Sequence, residues 1–87
     1  MIHKLKIGDE YLRNLTTGAK KCEIRLNDRD YQMDDILEFW DSEYVLYRYF
    51  VVTHIHSGLG LQENYVVLSI SKISQEMAGI TKQQKEF

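Results

Sequence analysis

The sequence predicts an α+β, mainly β fold: a small curled sheet or barrel with one helix after the first strand. Three observations carry this. At 87 residues the chain has room for one domain with a modest core. Its apolar residues fall mostly into short runs that alternate with polar ones or are β-branched and aromatic, as strands require, and the chain contains no proline. Only one early segment changes to a helical period, so the order is β-α-β-β-β-β, which in so short a chain favours a sheet curled around its own core.

In the first strand His3, Leu5 and Ile7 alternate with Lys4 and Lys6, so one face is buried and the other is basic. The period then changes. Asp9 is placed to cap a helix whose Tyr11, Leu12 and Leu15 share a face, and Gly18 stands where a left-handed C-cap is needed. A second strand covers 21–26, with Cys22, Ile24 and Leu26 expected on the core side and Lys21, Glu23 and Arg25 on the other. "NDRD" at 27–30 has the Asn/Asp chemistry of a turn. Ile36 to Trp40 forms a third strand, "DSE" a turn, and Tyr44 to Ile55 a long fourth strand. The glycine-containing loop "SGLGLQEN" at 57–64 leads to a last strand, "YVVLSI" at 65–70. Residues 1–73 make the domain. Residues 74–87 lack an amphipathic face and read as a C-terminal tail, frayed or a short helix.

Composition narrows the function classes. With 44% hydrophobic and 28% charged residues the chain reads as a soluble globular domain. No apolar run approaches the roughly 20 residues needed to span a bilayer, so no membrane partner is expected. The N-terminal segment alternates instead of building a signal peptide's apolar block, and the one cysteine, Cys22, cannot form an internal disulfide. A cytoplasmic location is expected. The net charge of −2 argues against a non-specific nucleic-acid binder. Its distribution is uneven: residues 1–30 hold seven Lys/Arg against five Asp/Glu, whereas 31–70 hold one against six. An anion site therefore belongs to the first third.

Gly18, Lys20, Glu23 and Arg25 form the pattern G-x-K-x-x-E-x-R. This resembles the motif of the ASCH domains, which are built on a PUA-like β-barrel. "HKLKI", "EY" at 10–11, "EIRLNDRDY", "DDILEFW" and "GLQENYVVLSI" are similar, in order, to a small uncharacterised branch of that superfamily in bacteria and phages. The resemblance covers about residues 3–71. It implies a PUA-like barrel that binds RNA or a nucleotide. It also raises an alternative, since one branch consists of small amidohydrolases acting on acetylated cytidine. In those enzymes a threonine stands where this chain has Glu23, and that threonine acts with the motif lysine. Lys20 matches and Glu23 does not, so a hydrolase here would use Glu23 and Lys20 as an acid/base pair on water. A third reading is a protein-interaction module of phage or prophage origin, docking through the acidic middle of the chain.

Glu23 and Arg25 are two apart on a strand and leave the same face, with Lys20 entering from the turn before it. In a ligand cleft Lys20 and Arg25 would hold an anion or a base carbonyl, and Glu23 would accept from an exocyclic amine. The structural alternative is an ion-paired lattice closing one end of the barrel. Arg29, in the turn, is a candidate phosphate contact or a support behind the ligand-contacting residues, and Tyr65, just after the "GLQEN" loop, a candidate ligand contact. Trp40, Tyr47 and Tyr49 are expected mainly in the core. His54 and His56 face the same way, but no third ligand is evident, so no metal and no cofactor is expected.

Overall fold

Five strands and one helix account for most of the chain in a computed structural model that describes residues 1–78. β1 (Ile2–Lys6), α1 (Asp9–Thr17), β2 (Cys22–Leu26), β3 (Ile36–Trp40), β4 (Tyr47–Ser57) and β5 (Tyr65–Ile73) follow in that order, as the sequence predicts. They form one sheet with the spatial order β1-β3-β4-β5-β2. β1 and β3 are parallel and the other neighbours antiparallel. The two edge strands, β1 and β2, come back within hydrogen-bonding reach: the Arg25 guanidinium donates to the Lys6 carbonyl at 3.1 Å. The sheet is therefore curled into a half-barrel whose open seam lies between β1 and β2. In the chain, α1 connects the same two strands.

The concave face supplies the core. Leu5, Leu37, Phe39, Phe50, Val52, Val66, Leu68 and Ile70 are buried against one another, with Leu12 and Leu15 of α1 above them. Phe39 and Phe50 meet with ring centroids 5.7 Å apart, a favourable tilted contact. A bulge between Val52 and His54 bends β4, after which Ile55 packs against the core.

The helix differs from expectation in two details. Its N-cap is Gly8, and the Asp9 carboxylate instead accepts from the Ser42 amide and hydroxyl, both at 3.0 Å. Tyr11 is 56% exposed, because only Leu12 and Leu15 of the α1 stripe face the core. Gly18 does close the helix in the left-handed region, at φ +83°, where a side chain would be strained. The fourth strand starts at Tyr47, later than expected, because Tyr44 takes a positive φ of 58° and the chain from 41 to 46 turns. The described part of the tail is a helical turn at 75–78 with Ala78 fully buried, so the tail begins docked against the domain. The rest of the segment read as a tail lies outside the described residues. No helix among the described residues is long and apolar enough to cross a membrane.

Candidate functional site

β2 faces opposite to expectation. Glu23 is 8% exposed and stands in register with buried Leu68, and Arg25 with buried Val66, so both charged side chains are on the concave side. Ile24, at 58% exposure, and Leu26, at 46%, lie on the convex side with Cys22. The reason is positional. β2 is an edge strand beside the seam, and from its concave side Glu23 reaches the Lys20 ammonium and Arg25 the Lys6 carbonyl. The expectation that Cys22, Ile24 and Leu26 would face the core is thus corrected.

Lys20, Glu23 and Arg25 do come together. The Lys20 ammonium donates to Glu23 Oε1 at 2.9 Å, and Arg25 Nη2 lies 3.7 Å from Glu23 Oε2. The turn after Gly18 carries Lys20 back over β2, held by its amide donating to the Asn14 carbonyl at 3.0 Å. Its ammonium also sits 4.7 Å from the centre of the Tyr11 ring. Arg25 lies 5.4 Å from the centre of the buried Phe39 ring. The cleft on this edge, about 510 Å³ and open to solvent, is lined by these three residues with Tyr11, Cys22, Ile24, Leu26 and Tyr65. The predicted Tyr65 therefore belongs to it. Lys20 has three donors and Arg25 five, and only some are used internally.

Tyr31 is buried near this cluster, within electrostatic reach of Arg25 and Glu23. Its hydroxyl is buried without a hydrogen-bond partner among the described residues. Burial raises its pKa, Arg25 and Arg29 oppose the rise, and Asp28 and Glu23 add to it. It stays a neutral donor at physiological pH. Its ring lies edge-on to His3 at 4.9 Å. Beyond it is a polar group the sequence did not reveal: Asp35 accepts from the Gln32 amide at 2.9 Å, is 2.8 Å from His3 Nε2, and meets the Met1 amine at 3.3 Å. A separation of 32 residues hides this pair from any local pattern.

Arg29 does not join Lys20. It lines a different cleft, on the other side of the seam, with Lys4, Lys6, Trp40 and Tyr44. His54 and His56 are exposed on the convex face, and His56 Nε2 is 3.1 Å from the Leu59 carbonyl. Among the described residues no group of three His, Cys, Asp or Glu is placed to hold a metal ion.

The model of a family described as a domain of unknown function, DUF3850, matches residues 2–70 of this chain. No curated protein matches it. Among solved structures the chain is similar to the crystal structure of a hypothetical protein, PH0355, with a TM-score of 0.62 at 18% identity. The match covers 84% of this chain and 100% of that one, and at that identity it speaks for the fold alone. Since the family model spans well over half of the residues, the chain belongs to the DUF3850 family.

Proposed function

We propose that this DUF3850 member is an ASCH-type, PUA-like module that binds RNA or a nucleotide-like ligand in the cleft around Lys20, Glu23 and Arg25. The observation that carries the reading is the inverted β2, which buries Glu23 while leaving Ile24 more than half exposed. The Lys20–Glu23 pair, with its lysine partly exposed, contributes little to stability. A strand selected only for stability would turn Ile24 and Leu26 inward. Where a local rule is broken without a gain in packing, function is the usual compensation. The chemistry fits: Lys20 and Arg25 offer donors to a phosphate or base carbonyl, and Glu23 accepts from an exocyclic amine. Tyr11 and Tyr65 offer ring faces to a base, and the unpartnered Tyr31 hydroxyl adds a neutral donor nearby.

Affinity for a short single-stranded RNA should fall with salt, with a log–log slope of about −0.7 per phosphate contacted. Lys20→Ala should weaken binding and flatten the slope. Glu23→Gln should change base preference more than salt dependence, because it removes an acceptor for an amine and no phosphate partner. A wild-type protein that binds neither RNA nor nucleosides at low salt would overturn the reading.

A second reading, hydrolysis of an acylated nucleoside, is favoured by the same buried Glu23 and its 2.9 Å contact with Lys20. The openness of the cleft to solvent favours binding over chemistry. Turnover of an acetylated nucleoside that vanishes in Glu23→Gln with binding preserved would establish the hydrolase instead.

A further inference from the structure

On the far side of the seam lies a second cleft, of about 510 Å³, lined by Lys4, Leu5, Lys6, Arg29, Trp40 and Tyr44. It contains three cations, two aromatic rings and no carboxylate, on a protein whose net charge is −2. Lys4, Lys6 and Arg29 are exposed, and none has a carboxylate within ion-pairing distance among the described residues. Surface lysines usually find a counter-charge or disperse. Here the outward alternation of β1 places Lys4 and Lys6 on one face, and the parallel register sets Lys6 opposite Trp40.

The aromatic wall is built as firmly. Trp40 is fixed by its indole N–H donating to Glu38 Oε1 at 2.6 Å and is backed by Tyr47, with ring centroids 4.4 Å apart. Tyr44, in the loop after β3, stands 6.3 Å from Trp40, and the Lys6 ammonium is 5.3 Å from its ring centre. That loop is held by the Asp41 carboxylate accepting from the Val45 amide at 2.9 Å and by the Ser42 contacts to Asp9.

We infer that this cleft is a separate contact for single-stranded nucleic acid, in which Lys4, Lys6 and Arg29 hold phosphates of one strand and Trp40 stacks a base beside Tyr44. Unpaired cations flanking a held aromatic face are what single-strand binding uses, the charges tracking the backbone and the ring stacking a base; here they form one local basic patch on a chain that is acidic overall. The inference does not rest on the Lys20 cleft.

Trp40 is the sole tryptophan, so its fluorescence reports this cleft directly. A titration with oligouridylate at low salt should quench the emission. In Lys4→Ala/Lys6→Ala the affinity should fall about tenfold, and the log–log salt slope should be shallower by about 1.4, two contacts at about 0.7 each. Thermal unfolding checks that this variant of two exposed residues stays folded. Lys21→Ala/Lys72→Ala, which removes the same charge elsewhere, should leave the quenching unchanged. The inference is overturned if oligouridylate leaves the emission unchanged, if the affinity and salt slope are the same after loss of both Lys4 and Lys6, or if inorganic polyphosphate quenches as well as the oligonucleotide. A response to phosphatidylserine vesicles with none to oligouridylate would overturn it too, in favour of a membrane surface. Because Trp40 does not line the Lys20 cleft, failure of nucleoside binding there leaves this signal to be read independently.

Discussion

Asp35 gathers three donors on one buried carboxylate: the Gln32 amide, His3 and the Met1 amine. Burial alone would raise its pKa, but the hydrogen bonds from His3, Gln32 and the N-terminal amine outweigh it and hold the group below the usual carboxylate range. A carboxyl whose folded pKa is depressed contributes stability that is present above its unfolded pKa of about 3.9 and is lost as pH falls through the lower folded value. Asp35→Asn should therefore be less stable than wild type at pH 6, by about 1–3 kcal/mol for a buried, charge-assisted contact. The gap should narrow as pH drops below about 4. Urea denaturation at pH 6, 4 and 3 measures it, and a gap that stays constant over that range would show that Asp35 carries no pH-linked stability.

At the scale of elements, the strands and the helix were legible because each has its own local period, and Gly18 announced the helix end. The facing of β2 was not. Alternation establishes that Glu23 and Arg25 share a face, but which face is inside depends on what covers each side, and that is decided by β2 being an edge strand at the seam. The second cleft was hidden for a similar reason: Lys4, Lys6 and Arg29 meet Trp40 and Tyr44 only once β1 pairs in parallel with β3. Lys20, Glu23 and Arg25 were legible as a group because a turn and one strand bring them together locally. The inverted facing makes a sharp prediction. Ile24→Thr, on the open convex face, should change stability by no more than about 0.5 kcal/mol. Leu68→Ala, opposite Glu23 with no exposed surface, should cost about 2–5 kcal/mol. Comparable losses in the two variants, measured by chemical denaturation, would mean that β2 turns its apolar side to the core after all.

For the whole molecule the seam is the decisive feature, because it is where an otherwise continuous five-stranded sheet fails to close and where both clefts open. β1 and β2 are not adjacent in the ladder, and Arg25 spans them with its bond to the Lys6 carbonyl while resting over Phe39. Arg25 is thus a clamp as well as a cleft residue, whereas Lys20 bonds to Glu23 and the Tyr11 ring and joins nothing across the gap. The two cations should separate on substitution. Arg25→Met keeps an apolar stem over Phe39 but removes the donor to Lys6, so stability should fall by about 0.5–1.5 kcal/mol, the net contribution of an ordinary hydrogen bond, because this one is solvent-exposed. The loss should be uneven. Amide hydrogen exchange should accelerate most in β1 and β2, which the clamp joins, and least in β4, which has a paired strand on each side. Lys20→Ala, losing only a partly exposed ion pair, should leave exchange at the seam near wild type while weakening ligand binding. If Arg25→Met exchanges like wild type at both edges, the half-barrel is held shut by α1 alone, and Arg25 serves the cleft without serving the fold.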